Sequence, residues 1–204
     1  MKKKIFFLLF ISLLLIFLII YIFFNKNTAK ILNIGNNNSS QEIVNKILNI
    51  SSYTATIEME VQSNKNTNKY KIKQNYISME NNSQEVLEPS NIQGFKIENN
   101  GNTLTLSNTR LNLVTIFENY KYLAENDIDL FSFNEDYKAN SKSNFYEEDN
   151  YVIMQTQSRN KNIYMENKTL YIDRKTLKPS KMIINSDNQK EAIYISYNEV
   201  EIIT

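Results

Sequence analysis

The feature that most constrains this chain is an uninterrupted apolar run from Ile5 to Phe24, which holds 20 residues and contains no charge, no Pro and no Gly. A helix of that length reaches about 30 Å, which is the thickness of the hydrocarbon core of a bilayer. Backbone groups in lipid have no water to bond, so a spanning segment must be helical. The run therefore predicts a single transmembrane helix, residues 5–24, that anchors whatever follows it.

The charges beside this run predict its orientation. Lys2, Lys3 and Lys4 precede it directly, and the positive-inside rule places such an end in the cytoplasm. We therefore expect a basic cytoplasmic end (1–4), the anchor (5–24), a polar linker (25–39) and one extracytoplasmic domain (40–204) at the cell membrane. The alternative is a cleaved signal peptide, which has a shorter apolar core and small residues at the cleavage site. Here the core is long, so the sequence favours a retained anchor.

The missing residue types exclude much chemistry. The chain has no Cys and no His, so it lacks a thiolate nucleophile, a lipid-carrying cysteine and the commonest general base and zinc ligand. Three Gly residues provide no phosphate-binding loop. Glu58 and Glu60 are the best-spaced pair of acids, and their strand pattern places both on a solvated face. We predict no catalytic residues, no cofactor, no metal and no enzymatic activity.

The charge balance indicates which partners to expect. From residue 31 onward the chain has 18 basic and 22 acidic residues, a net charge of −4. Phosphate binding requires clustered Lys and Arg, so a mildly acidic domain predicts no nucleic-acid partner.

The domain begins with a helix signal and continues with strand signals. Ser39 and Glu42 have the spacing of a capping box before an amphipathic helix predicted from Ser40 to Asn49. From Tyr53 to Val61 apolar and polar residues alternate, which indicates a half-buried strand. Pro89 ends a strand or marks an edge, and Asn100-Gly101 between two alternating runs is a hairpin signal.

Nine or ten strands follow from this pattern. The predicted strands are about 53–61, 70–79, 85–88, 95–98, 103–107, 151–156, 162–166, 169–173, 181–185 and 191–197, with turn residues such as Asn81-Asn82 between them. One or two helices are predicted in the middle of the domain. The first apolar and aromatic stretch runs from Leu111 to Tyr122. The second runs through Tyr137 and is capped by Asn126 or Asp127. The fold class is α+β: a curved antiparallel sheet, or half-barrel, with helices on its concave face.

One strand–turn–strand segment carries a resemblance to a known group. Residues 170–182 place a hydrophobic-x-Ile-Asp stretch before Thr176, Pro179 and Lys181-Met182. This segment resembles the signature of the LolA/LolB-like lipoprotein-carrier fold. A narrower resemblance extends from Ile47 to Tyr137, over the segments 68–76, 85–94, 108–113, 118–120 and 130–137. These look like the GerS-related germination lipoproteins of clostridia.

The resemblance implies a function. In that family the LolA-like domain is not an enzyme; it binds a spore-cortex N-acetylmuramoyl-L-alanine amidase, CwlD, and supports cortex modification and germination. By this resemblance, the chain is a membrane-anchored binding protein of the envelope or of a forespore-associated membrane. The alternative is a lipid- or lipoprotein-binding envelope protein of the LolA/LolB type. The chain departs from the lipoprotein pattern because it has no Cys, and the predicted anchor takes the place of the lipid.

An aromatic band in the middle of the domain supplies the candidate site. Two interpretations remain open: the rings fill the concave side of the sheet, or they line a hydrophobic groove that accepts a lipid or a partner protein. The band consists of Phe117, Tyr120, Tyr122, Phe131, Phe133 and Tyr137.

Overall fold

The computed structural model describes most of the domain. The described residues are 39–63, 65–119, 128–162, 165–186 and 192–204. The predicted basic end, anchor and linker, apart from Ser39, lie outside them. None of the helices in these ranges has the length and apolarity of a membrane span. Residues 38–204 form one compact unit.

The described domain contains two helices and eleven strands. The helices are α1 (Ser40–Leu48) and α2 (Leu130–Ala139). The strands are β1 (Ser52–Gln62), β2 (Thr67–Tyr76), β3 (Asn81–Glu88), β4 (Phe95–Asn100), β5 (Thr103–Asn108), β6 (Leu113–Glu118), β7 (Asn144–Glu148), β8 (Tyr151–Asn162), β9 (Met165–Asp173), β10 (Lys178–Asn185) and β11 (Ala192–Ile203).

All described strands belong to one antiparallel sheet with the order β6-β5-β4-β3-β2-β1-β11-β10-β9-β8-β7. Two meanders, β1 to β6 and β7 to β11, are joined by the pairing of β1 with β11, from Ser52 opposite Ile203 to Gln62 opposite Ala192. The sheet is curved and does not close, so β6 and β7 are its edges. The predicted α+β class and curved antiparallel sheet are confirmed.

Helix α1 forms where its capping box predicts. The Ser39 hydroxyl accepts a hydrogen bond from the Glu42 amide (3.3 Å), and the Glu42 carboxylate accepts one from the Ser39 amide (2.9 Å). These reciprocal bonds satisfy amides that the first turn leaves without a helical partner. Ile43, Val44 and Ile47 then share one face and are buried against the sheet.

The sequence misplaces the cap of α2. The predicted caps, Asn126 and Asp127, lie outside the described residues, and the helix starts at Leu130 with Asp129 as its N-cap. The Asp129 carboxylate accepts a hydrogen bond from the Ser132 amide at 2.9 Å. Leu130 and Phe133 lie on the buried side of the helix and have no exposed surface.

The predicted helix from Leu111 to Tyr122 is wrong over the part that the structure describes. Leu113–Glu118 is strand β6, which pairs with β5. The run Val114-Thr115-Ile116 is β-branched and fits a pleated strand better than a helix. Asn112 and Asn119, with φ of 53° and 57°, bound the strand with left-handed backbone that no helix continues through.

Smaller differences concern strand ends. Asn81 and Asn82, predicted as a turn, begin β3, because the turn closes earlier through the Asn81 amide and the Ser78 hydroxyl (3.0 Å). The end of the predicted strand 162–166 and the predicted strand 169–173 belong to one strand, β9, whereas Asn162 is the last residue of β8. The predicted hairpin is confirmed: Gly101, with φ of +65°, turns β4 into β5.

Both helices pack on the same face of the sheet, called the inner face below. The core between them and the sheet joins Ile43 and Ile47 of α1, Leu130 and Phe133 of α2, and strand residues from β1, β2 and β8 to β11. The buried strand residues of this core are Tyr53, Ala55, Ile57, Ile72, Tyr76, Val152, Met154, Leu170, Ile172, Met182, Ile184, Ile195, Tyr197 and Val200.

A buried ion pair fastens α2 to the sheet. The ammonium of Lys168, on β9, lies 2.6 Å from the carboxylate of Asp136, and both side chains have almost no exposed surface. Lys168 also donates to the Ser132 hydroxyl at 2.8 Å. Asp136 accepts further bonds from the backbone amide (3.0 Å) and the guanidinium (3.1 Å) of Arg159 on β8. Removing one partner of such a pair leaves the other charge uncompensated in the interior.

We expect Lys168→Met to lower the free energy of unfolding by about 3 kcal/mol, the lower end of the range for a broken buried pair, because Arg159 still faces Asp136. The matched control is Lys69→Met, which breaks the exposed 3.0 Å pair with Glu60 and is expected to cost at most about 1 kcal/mol. Urea unfolding followed by circular dichroism measures both. Equal losses in the two variants would contradict the role assigned to the buried pair.

Candidate protein-interaction site

Three residues of the predicted aromatic band pack into the inner face. The Phe131 ring lies 5.8 Å, centroid to centroid, from both Tyr53 and Tyr76, whose rings stack on each other at 4.8 Å. Phe133 is fully buried, and the half-buried Tyr137 ring lies 6.0 Å from it. These rings contribute to the core, as the filled-sheet interpretation predicts for them, and Phe133 is a core residue with no surface open to a groove.

Of the other three members of the band, the structure describes one. Phe117 lies on β6, half-buried, opposite the buried Leu104 of β5. Tyr120 and Tyr122 lie outside the described residues. The six aromatic residues therefore do not come together as one described surface.

Two buried tyrosines and Asp129 surround the start of α2. Burial, and then the nearby Asp129 carboxylate, raise the pKa of Tyr53 and of Tyr197 well above the ordinary phenol value. The Tyr53 hydroxyl donates to the Gln74 side-chain oxygen at 3.3 Å. Both phenols remain protonated at neutral pH, and both rings pack in the core.

The charged residues of the domain do not form a catalytic arrangement in the part of the chain that the structure describes. Ser132 and Lys168 are within hydrogen-bond distance, and the Lys168 side chain is also paired with the buried Asp136 carboxylate, so its contacts serve the packing of α2 on the sheet. Glu58 and Glu60 lie on the outer face, where Asn198 donates to Glu58 (3.2 Å) and Glu60 pairs with Lys69. Among the described residues there is no cluster of three or more acidic, Cys or His side chains able to hold a metal.

Strand β6 presents the most unusual surface of the described domain. Leu113, Val114 and Ile116 expose 59%, 64% and 59% of their surface, and Leu111 in the preceding turn exposes 65%. These four residues are called the apolar edge below. Among the described strands β6 pairs with β5 alone and forms one edge of the sheet. An apolar surface on an edge strand is typical of a site for another protein.

Both faces of β6 take part in the apolar edge. Phe117 pairs with Leu104 of β5, and the row of successive pairs that continues from Leu104 across the sheet ends at Tyr76, a core residue. Phe117 therefore lies on the inner face. Leu113 lies on the same face, because it is an even number of residues from Phe117 on the same strand. Val114 and Ile116 lie on the outer face. In the described structure β5 therefore covers one side of this strand, while apolar side chains on both of its faces are exposed.

The opposite edge of the sheet is protected by charge. β7 carries Glu147 and Glu148, and Glu147 accepts from the Ser40 hydroxyl of α1 and pairs with Arg174. These contacts, the Ser40 hydrogen bond first, hold the pKa of Glu147 below its ordinary value. Charged edge strands discourage strand addition. The contrast leaves β6 as the edge suited to a partner.

The sequence reasoning did not identify the apolar edge, because it assigned Leu111 to Tyr122 to a helix. A signal was present: three consecutive β-branched residues, Val114, Thr115 and Ile116, stand between Asn residues that stop a helix. Phe117 is the one described residue of the predicted band that adjoins this surface.

The fold has relatives of known structure. A chain from an uncharacterized conserved protein of Thermus thermophilus matches with a TM-score of 0.51 at 12% identity, covering 82% of this chain and 89% of the other. The GerS lipoprotein, solved in complex with the CwlD amidase from Clostridioides difficile, matches with a TM-score of 0.51 at 22% identity, covering 81% of this chain and 97% of GerS.

A LolA superfamily protein from Nitrosomonas europaea matches with a TM-score of 0.43 at 13% identity, covering 82% of this chain and 94% of the other. No curated protein matches the sequence. The resemblance to GerS that the sequence indicated is confirmed at the level of the fold.

The family assignment rests on a match to almost the whole chain. The model of the YdcC-like sporulation proteins matches residues 3–202. The chain belongs to the family of YdcC-like sporulation proteins.

Proposed function

We propose that this protein is a membrane-anchored, non-catalytic binding protein of the cell envelope or spore, and that it supports spore cortex modification and germination by binding a cortex amidase of the CwlD type. The observation that carries the proposal is the combination of a sporulation family match over residues 3–202 with the fold of GerS, a protein solved in complex with such an amidase.

The surface chemistry supports a binding role. An exposed apolar surface on an edge strand, such as the apolar edge, is stabilised by contact with another protein. The best candidate for a basic catalytic group, Lys168, is held in a buried ion pair that serves the packing of α2. A protein with these features acts by binding a partner and keeping it at one place in the cell.

The apolar run from Ile5 to Phe24 supports localisation at a membrane. A tether confines the domain to a thin layer and raises its effective concentration toward partners in that layer. In this proposal the span does the work that a lipidated cysteine does in a lipoprotein, with the domain on the extracytoplasmic side.

The packing of the domain gives less support to the alternative role of a lipid or lipoprotein handler. Leu130 and Phe133 have no exposed surface and fill the space between α2 and the sheet, where an acyl chain would need room. The open cleft of about 550 Å³ on the domain is lined largely by polar groups such as Glu58, Glu60 and Lys71. A site for an acyl chain needs mainly apolar walls.

We expect deletion of residues 1–30 to leave a folded, soluble domain that still binds its partner but is no longer held at the membrane. The reason is that every described core residue lies between Ile43 and Val200. Circular dichroism and membrane fractionation measure folding and localisation. An unfolded truncated chain would show that the first 30 residues belong to the fold, which contradicts the proposed division between anchor and domain.

We expect the full chain, in detergent or in a lipid nanodisc, to form a saturable complex with a cortex amidase of the CwlD type. Isothermal titration calorimetry measures this binding directly. A cell-wall amidase that acts during vegetative growth is the control partner and should give no binding heat. The absence of binding to the cortex amidase, or equal binding to both enzymes, would contradict the proposed partner.

A further inference from the structure

A cleft of about 550 Å³ opens on the outer face of the sheet, over the strands β11, β1, β2 and β3. Its lining includes Glu58 of β1, Lys71 of β2, Glu88 of β3 and Tyr194 of β11. This surface is called the outer cleft below. Sites for small molecules usually have volumes of about 300–1,000 Å³, so the outer cleft is large enough for a small ligand.

The sheet ladder places charges of opposite sign side by side in the outer cleft. Glu58 is opposite Lys71, and Lys71 is opposite Glu88. The second of these pairs depends on a register shift in β3, because without the extra residue Leu87 would lie opposite Lys71. Bulges of this kind redirect side chains and are frequent beside functional sites. The bulge brings the Glu88 carboxylate to the outer face, next to Lys71.

The Lys71 ammonium has no partner in spite of these two neighbours. Side chains directly opposite each other across strands have Cβ atoms about 5 Å apart, which is close enough for an ion pair. In the next row, Lys69 and Glu60 form such a pair at 3.0 Å. Within the described ranges, neither the half-buried Lys71 side chain nor the exposed Glu88 side chain forms a hydrogen bond or an ion pair. An ammonium partly withdrawn from water is stabilised by a ligand that supplies the missing bonds.

We propose that the outer cleft binds a dipolar ligand of dipeptide size, whose carboxylate bonds to the Lys71 ammonium and whose ammonium bonds to the Glu88 carboxylate. The inference goes beyond the proposed function, because it assigns a small ligand to the domain and requires no amidase. Adjacent strands lie about 4.8 Å apart and the ends of an extended dipeptide about 7 Å apart, so one molecule reaches both charges. The exposed Tyr194 ring forms a wall against which the body of the ligand packs.

The charges of the outer cleft select against simpler ligands. An anion such as phosphate would meet Lys71, but also the carboxylates of Glu58 and Glu88 on either side of it, and like charges repel. A cation alone would meet these carboxylates but would also face the Lys71 ammonium. A ligand with one charge of each sign satisfies both groups. Hydrolysis of an amide bond exposes a free amino terminus, so a hydrolase of amide or peptide bonds is the class of reaction that supplies such a ligand.

Isothermal titration calorimetry of the full chain in detergent tests the inference with dialanine as the probe. We expect saturable binding that weakens about tenfold in Lys71→Met and in Glu88→Gln, since each variant removes one hydrogen bond between charged groups. The matched controls are Lys73→Met and Glu85→Gln, which are opposite each other on β2 and β3 and are not among the described lining residues of the outer cleft. Both controls should bind dialanine as the wild-type chain does.

Two derivatives of dialanine identify the charge that each residue recognises. N-acetyl-dialanine lacks the ammonium, so it should bind the wild-type chain about tenfold more weakly than dialanine does and lose nothing further in Glu88→Gln. Dialanine amide lacks the carboxylate and should show the same pattern with Lys71→Met. Such coupling is the mark of direct contact in a double-mutant cycle. It remains measurable in a less stable variant, because the ligands are compared on one protein.

The outcomes separate a dipolar ligand from other ligands and from the proposed function. Absence of saturable dialanine binding to the wild-type chain would overturn the inference, and so would equal affinity for dialanine and both derivatives. Tighter binding of inorganic phosphate than of dialanine would show an anion site and would also overturn it. A chain that binds dialanine but no cortex amidase would support the inference and contradict the proposed function. A chain that binds the amidase but not dialanine would do the reverse.

Discussion

The fold depends on the pairing of its first and last strands. β1 and β11 are 130 residues apart in the chain where Gln62 meets Ala192, and their ladder joins the two meanders into one sheet. Contacts of such sequence separation must overcome the entropy of closing a long loop before they stabilise the chain. They also create the inner face on which both helices lie, since Ile57 and Ile195 come from the two meanders. The core between the helices and the sheet therefore depends on the β1–β11 ladder.

The two ends of the sheet follow from the same topology. An open sheet of this kind has two edges, and the side chains on the two edge strands differ in charge and in exposed apolar surface. β7 is tied to α1 and to the turn before β10 through Glu147, with Ser40 and Arg174 as partners. β6 carries one acid, Glu118, at its end and exposes Leu113, Val114 and Ile116. For the proposed binding role, the apolar edge of β6 is the candidate contact surface in the described domain.

Much of the fold was predictable because its signals are local. The capping box of Ser39 and Glu42, the alternation from Tyr53 to Val61 and the turn at Gly101 each predicted the element that is observed. The helix assigned around Leu111 failed because apolar density alone does not distinguish a helix from an edge strand that is apolar on both faces. The site was missed for the same reason. The pairing of Asp136 with Lys168, 32 residues away, is a tertiary contact that no local pattern shows.

Hydrogen–deuterium exchange of the full chain, alone and with a cortex amidase, tests most directly the claim that the protein works through protein contacts. Backbone amides of an unpaired edge exchange quickly, whereas paired amides are protected. We expect amides of a contact surface, with the apolar edge as the candidate, to become protected when the amidase is added. Rapid exchange throughout Leu113–Glu118 under both conditions, with no new protection elsewhere, would contradict it.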